Sequence, residues 1–138
     1  MGQHWQRLTI VTLGLVLGVG GCRGDGIDRV IVTGDVRWNG GAVEDGQIRF
    51  VPQQGTVGPV TIRPIRGGKY ACQEAGGLPI GTYRVEILVW DPNVPLQLGP
   101  GVPPRPQWAP AKYNKNSELV VTLKDSSEPV VQDFDLSN

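Results

Sequence analysis

The stretch Gly-Thr-Tyr-Arg-Val-Glu-Ile-Leu-Val-Trp, residues 81–90, decides the fold class of this chain. Its apolar and polar side chains alternate, with Tyr83, Val85, Ile87 and Val89 in one set and Thr82, Arg84 and Glu86 in the other. A period of two places alternate side chains on opposite faces of an extended strand. The stretch therefore predicts a long β-strand with one buried face, in which the Tyr83 ring is buried and its hydroxyl finds a backbone partner.

The same alternation recurs on both sides of this strand. It predicts further strands at residues 30–38, 47–50, 59–65, 69–73, 119–123 and 130–136. Asn39-Gly40-Gly41 and Gly67-Gly68 are typical of tight turns, because these residues accept a positive φ. Gly34, inside the first strand, indicates a bulge or a close backbone approach. The sequence thus predicts seven antiparallel strands and no helix after residue 21.

Seven short strands with alternating faces cannot bury their apolar sides in one open sheet, so we expect two packed sheets. The expected fold is all-β, a seven-stranded Greek-key β-sandwich of Ig-like architecture over residues 30–138. Residues 91–116 are the exception, since they hold seven of the 12 prolines and have no periodicity. Long irregular connections are usually functional or disordered, so this Pro-rich loop is a candidate functional segment.

Residues 1–21 have the layout of a secretory signal peptide. A polar start with Arg7 is followed by an apolar run over residues 8–19, then by Gly20, Gly21 and Cys22. The apolar run is shorter than the roughly 20 residues that a membrane-spanning helix needs. We expect cleavage after Gly21 and a flexible tether at residues 22–29. In the alternative, an ordinary cleaved signal, Cys22 is an incidental thiol.

Val19-Gly20-Gly21-Cys22 resembles the lipobox of bacterial lipoproteins. The resemblance implies that Cys22 becomes the new N-terminus, with diacylglycerol on its sulfur and an acyl chain such as palmitate on its amine. Membrane lipid would then be a partner, on the extracytoplasmic side of the cell envelope. Arg23 is not the Asp that retains many lipoproteins at the inner membrane, so the resemblance favours the outer membrane.

Several segments of the remaining chain, in their order, resemble one domain family. They are residues 32–36 (VTGDV), 46–52 (GQIRFVP), 68–70 (GKY), 78–85 (LPIGTYRV) and 110–114 (PAKYN). This pattern is similar to carboxypeptidase regulatory-like, or transthyretin-like (prealbumin-like), domains. The resemblance implies a β-sandwich over residues 30–136 with an accessory, non-enzymatic role, since such domains lack the zinc ligands of the peptidase.

The catalytic and metal-binding repertoire of the chain is small. His4, the single histidine, lies in the segment that cleavage would remove, which excludes His-based triads and the usual His metal sites from the mature protein. No Gly-x-Ser-x-Gly motif occurs. We therefore expect no enzyme activity, no cofactor and no metal. Basic and acidic residues number 13 each, which gives no electrostatic reason to expect nucleic acid as a partner.

Two acidic pairs and one cysteine have alternative interpretations. Glu44 with Asp45, and Asp133 with Asp135, are of a type that ligates calcium or forms a carboxylate pair, but a solvated face is the expected role. If Cys22 is acylated, Cys72 has no partner within the chain. Cys72 is then expected to be a small buried hydrophobic side chain rather than a reactive thiol.

Trp90 and Trp108 are the candidate ligand-binding residues. Trp90 ends the long predicted strand and Trp108 lies in the Pro-rich loop, so the two indoles could form an exposed platform for a sugar ring or a peptide. Packing of the loop onto the sandwich is the other role that these indoles could have. The sequence thus predicts a structural or protein-binding envelope module, with an envelope protein or a glycan as partner, and a carbohydrate-binding module as the alternative.

Overall fold

The computed structural model describes residues 26–138. The strands are β1 (Arg29–Val30), β2 (Val32–Trp38), β3 (Gly41–Ala42), β4 (Asp45–Pro52), β5 (Thr61–Arg66), β6 (Lys69–Cys72), β7 (Leu78–Pro79), β8 (Gly81–Val89), β9 (Val120–Leu123), β10 (Val130–Val131) and β11 (Phe134–Leu136). Two 3₁₀ turns, Glu74–Gly76 and Ala111–Tyr113, are the only helical segments in this part of the chain. No helix within residues 26–138 is long and apolar enough to cross a membrane. The predictions for Gly21 and Cys22 lie outside the described residues.

The all-β prediction is confirmed. Each of the seven predicted strands is present, and the last is divided into β10 and β11. The two-residue strands β3 and β7 were not predicted, because two residues are too few to show alternation. The strand predicted at residues 30–38 is interrupted at Ile31, which separates β1 from β2. The prediction that no helix follows the first segment is confirmed for residues 26–138, where the two 3₁₀ turns are each only three residues long.

One curled sheet, shaped like half of a barrel, forms most of the domain. Its hydrogen-bonded order is β10-β2-β6-β5-β4-β8-β9, while β3 and β11 also pair with β2, and β1 and β7 form a separate small sheet. The tight turn at Gly67-Gly68 joins β5 to β6, with φ of 54° and 77° at the two glycines. Positive φ at both central residues fits a type I′ turn, which explains the paired glycines.

The last two strands differ from the prediction in direction. Both β10 and β11 run parallel to β2, with Val130 opposite Val32 and Phe134 opposite Val36, so the prediction of antiparallel strands throughout is wrong here. Residues 124–129 carry the chain from β9, at one edge of the sheet, to β2 near the other. Side-chain alternation sets which face is buried but not the direction of pairing, so the sequence pattern could not reveal this.

A single hydrophobic core fills the inside of the curl. The Phe50 ring of β4 lies 5.9 Å from the Tyr70 ring of β6 and 6.1 Å from the Tyr83 ring of β8, so both halves of the sheet contribute to it. Tyr83 is buried, and its hydroxyl donates to the Pro79 carbonyl at 2.7 Å, as predicted. Ile65 of β5 is buried in the core, whereas Val60 and Ile62 face solvent.

The domain has two ends that are separated by the length of β8. At the tether end, Ile80 N donates to Asp28 O at 3.0 Å, next to the start of β8. At the loop end, Trp90 N donates to Asp45 O at 2.9 Å, next to the last residue of β8. The nine residues of β8 span about 30 Å at ~3.3 Å per residue. The described N-terminus and the Pro-rich loop therefore lie at opposite ends of the molecule.

Candidate functional site

The Pro-rich loop presents apolar side chains to solvent at the loop end. Residues 92–104 carry no charged side chain. Within them, Leu96 is 66% exposed and Leu98 is 86% exposed. Large exposed apolar side chains that lie close together are typical of interaction surfaces. We call the segment 92–104 the loop tip.

Arg105 fastens the loop tip to the sheet. Its side chain is only 9% exposed, and its Nη1 lies 2.7 Å from Asp45 Oδ2. Its Nη2 donates to the Asp91 carbonyl at 2.7 Å, and the guanidinium carbon lies 5.3 Å from the centre of the Trp90 ring. One side chain thus joins both ends of the loop tip to β4 and β8. The exposed leucines therefore lie in a segment whose two ends are fixed to the sheet.

Replacement of Arg105 by alanine is expected to loosen the loop tip without unfolding the domain. Loss of one partner from a buried ion pair lowers the free energy of unfolding by about 3–5 kcal/mol. The loss should be smaller for Arg105, because Arg66 still binds Asp45. Hydrogen exchange of residues 92–104 should therefore rise strongly while exchange in β4 and β8 changes little. Arg66→Ala is the matched control, because it removes the exposed partner of the same carboxylate and should cost under about 1 kcal/mol. If both substitutions raise the hydrogen exchange of residues 92–104 equally, Arg105 does not hold the loop tip in place.

Trp90 and Trp108 lie near each other in the fold but do not share a face. Trp90 pairs with Gln107 in an isolated antiparallel bridge, and Trp108 N donates to Val89 O at 2.8 Å. Residues directly opposite in such a pairing project to the same face, and their neighbours project to the other. Trp90 is partly buried beneath Arg105, whereas Trp108 is 48% exposed. A ligand at this end would therefore meet Trp108 rather than a two-indole platform.

A second candidate surface is a groove along β6, lined by residues of β5 on one side and by residues of β2, Val131 and Asp133 on the other. Its volume is about 710 Å³, and its charged lining consists of Asp35, Arg63, Arg66, Lys69, Glu74 and Asp133. The charges are paired: Lys69 Nζ lies 2.8 Å from Asp35 Oδ1, and Arg63 Nη2 lies 2.6 Å from Glu74 Oε2. We call this feature the seam groove. Because it contains three basic and three acidic groups, charge alone selects no ligand.

Two carboxylates of the seam groove are stabilised in their ionised form. The side-chain hydrogen bond from Lys69 lowers the pKa of Asp35. The pKa of Glu74 is lowered by its own backbone N–H and by the Arg63 guanidinium. Both groups are therefore charged at neutral pH. The groove stays polar along both walls.

One carboxylate in each acidic pair suggested by the sequence has a structural partner. Asp45 binds Arg66 and Arg105, and Asp133 Oδ1 accepts a hydrogen bond from Asp35 N at 2.8 Å. Within residues 26–138, no three His, Cys, Asp or Glu side chains are placed so that they could hold a metal ion together. Asp45 and Asp133 thus contribute to the fold in the part of the chain that the structure describes.

Cys72 is buried in the core beside β2, as predicted. Burial raises the pKa of its thiol to about 11. In a Cys22→Ser background, where Cys72 is the only cysteine, thiol labelling at pH 8 should be slow in the native protein and fast in denaturant, because the thiolate is the reactive form. Rapid labelling of the folded protein would show that the thiol is accessible.

No protein-family model, curated protein or solved structure matches this chain.

Proposed function

We propose that this chain is a lipid-anchored protein of the bacterial cell envelope whose folded domain is a protein-binding module. The observation that carries the proposal is that residues 26–28 and the start of the Pro-rich loop lie at opposite ends of β8. A domain held by lipid on Cys22 would direct the loop tip away from the membrane. Exposed apolar residues in that position, on a base fixed by Arg105, suit the binding of another protein.

The proposal takes the domain to be a transthyretin-like Greek-key sandwich. Two halves of the sheet that face each other across Phe50 and Tyr70 support this assignment, as do the sequence segments of the carboxypeptidase regulatory-like pattern. A role without catalysis is supported by the single histidine at position 4 and by the pairing of the charges in the seam groove. The proposed location is the extracytoplasmic side of the envelope, at the outer membrane.

Mass spectrometry of the intact purified protein tests the anchor. The expected mass is that of a chain beginning at Cys22 and carrying two or three acyl chains. Each buried CH₂ contributes ~0.8 kcal/mol to membrane binding, so two or three chains would retain the domain stably. An unmodified Cys22, or an intact segment 1–21, would overturn the proposed anchor.

Site-specific photo-cross-linking tests the direction of binding. A benzophenone amino acid at position 98, in the full chain within its own envelope, should give a discrete cross-linked species. The same group at Ser127, an exposed position in the connection at the tether end, is the matched control. The same species from both positions, or none from position 98, would exclude the loop tip as the binding surface.

The half-exposed indole of Trp108 supports the second candidate function, carbohydrate binding. A single exposed indole can stack on a sugar ring, even though Trp90 lies on the other face of the pairing. Binding to a glycan array that Trp108→Ala abolishes, and Leu98→Asp does not, would favour this function over protein binding.

A further inference from the structure

We infer that the tether end of the domain rests on the lipid surface that holds Cys22, through exposed apolar side chains that include Val57 and Ile80. The inference rests on the lipid anchor of the proposed function and adds a second membrane contact, made by the folded domain itself. Val57 is 59% exposed and Ile80 is 36% exposed. We call the two segments that carry these side chains, residues 53–60 and 78–81, the tether-end patch.

The tether-end patch forms where its two segments touch at the start of β8. The Thr56 hydroxyl accepts a hydrogen bond from Thr82 N at 2.8 Å and donates one to the Thr82 carbonyl at 3.0 Å. A Cβ on Gly58 would lie 3.3 Å from the Pro79 ring. Val57, between Thr56 and Gly58, is therefore held close to the start of β8 and to the residues just before it. Its exposed side chain lies on a fixed part of the fold.

Both segments of the patch are free of charged side chains. No Asp, Glu, Lys or Arg occurs in residues 51–62 or in residues 75–83. Apolar side chains gain free energy when they leave water, whereas a charged group loses its hydration on entering an apolar layer. Exposed charges of both signs, such as Asp28 and Lys124, lie at the same end of the domain. Apolar burial, rather than attraction to a charged headgroup, therefore holds the patch on lipid.

The length of the tether selects the membrane as the occupant of the patch. Asp28 lies beside the patch, because Ile80 N donates to its carbonyl at 3.0 Å. Asp28 is six residues after Cys22, and six residues span at most about 20 Å when fully extended. With Cys22 acylated, the patch stays within that distance of the lipid. A short tether raises the effective concentration of the two surfaces to the order of millimolar, so a small apolar contact is sufficient.

Quenching of a fluorescent label by nitroxide-labelled lipid tests the contact. A bimane group on Gln54→Cys, an exposed position in the patch, is compared with the same group on Leu98→Cys, beyond the opposite end of β8. The acylated full chain is placed in phosphatidylcholine vesicles with and without nitroxide-labelled phosphatidylcholine. Cys72 is buried, so it reacts slowly with the label. The label at position 54 should be quenched strongly, and the label at position 98 should not.

Flotation of the same samples distinguishes failure of the anchor from failure of the inference. Protein that does not float with the vesicles lacks the anchor, and the proposed function and this inference then both fail. Protein that floats but is quenched equally at the two positions, or is not quenched at position 54, keeps the anchor and overturns the inference. In that case the patch is open to a partner other than lipid.

Val57→Asp tests the patch from the protein side. The substitution replaces apolar burial by the desolvation of a carboxylate, so the population in contact with lipid should fall at least about tenfold. Quenching at position 54 should then approach the quenching at position 98. Equal quenching with and without Val57→Asp would overturn the inference. The comparison of positions 54 and 98 in the parent chain does not depend on this variant.

Val120→Asp is the matched control for Val57→Asp. Val120 is 61% exposed, close to the value for Val57. It lies opposite Arg84, three residues beyond Gly81 and thus about 10 Å further along β8 at ~3.3 Å per residue. A carboxylate there should leave the quenching at position 54 unchanged. Equal losses of quenching in the two variants would overturn the inference, because they would reflect added charge rather than the patch.

Discussion

The protein with Cys22→Ser is expected to move from the detergent-rich to the aqueous phase on phase separation, and from the membrane to the soluble fraction of the envelope. Serine lacks the thiol that would receive diacylglycerol, so all the acyl chains would be lost together. Because each buried CH₂ contributes ~0.8 kcal/mol, the loss of even one long chain should change the partition coefficient by several orders of magnitude. Immunoblots of the two phases measure the effect.

Cys72→Ser is the control for this experiment. It changes the only other cysteine in the chain, which lies in the core. A polar hydroxyl in that position should lower stability but leave the distribution between phases unchanged. If Cys22→Ser stays in the detergent-rich phase, the anchor is not on Cys22, and the lipoprotein proposal fails.

Gly34→Ala is expected to cause a large loss of stability, although it adds only one methyl group. An added Cβ would lie 1.9 Å from the Gln132 carbonyl oxygen and 3.0 Å from the Tyr70 ring. The Gln132 oxygen is main-chain, so the C-terminal segment must move away from β2. That movement breaks the hydrogen bond from Gln132 N to Thr33 O and the bond from the Tyr70 hydroxyl to Gln132 O. We expect a loss of at least about 3 kcal/mol, or about 10 °C in melting temperature.

Gly41→Ala is the matched control, because a Cβ there meets no atom closer than 3.7 Å. It should shift stability by under about 1 kcal/mol. Thermal unfolding followed by circular dichroism compares the two variants. A Gly34→Ala protein as stable as Gly41→Ala would mean that β2 and the C-terminal segment are not in close contact.

Local patterns were sufficient to predict most of the individual strands. The alternation in residues 81–90 predicts β8, and the close backbone approach predicted at Gly34 is the contact with Gln132. The positive φ of Asn39 and Gly40 agrees with the turn expected there. These features depend on neighbouring residues or on one residue type, so they are visible in the sequence.

Features that depend on distant segments could not be predicted in this way. The parallel pairing of β10 and β11 with β2 depends on where the chain crosses the sheet. Arg105 is the only charged residue between Asp91 and Lys112, which is a visible signal, but its partner Asp45 lies 60 positions earlier. The seam groove is lined by residues of β2, β5 and β6 and by Val131 and Asp133, so the pattern of any single strand cannot reveal it.

β2 pairs with strands from the early part of the chain and with the last two strands, β10 and β11. This affects when the domain can complete its fold during biogenesis. Asp133 binds the backbone of Asp35, 98 residues earlier, and β11 completes the edge that β2 would otherwise leave open. Contacts between such distant segments form late, because the intervening chain must first be brought together. During the proposed export, the N-terminal strands would cross the membrane before their C-terminal partners. The nascent domain would therefore stay incomplete until its final dozen residues arrive, which couples the end of translocation to the completion of the sheet.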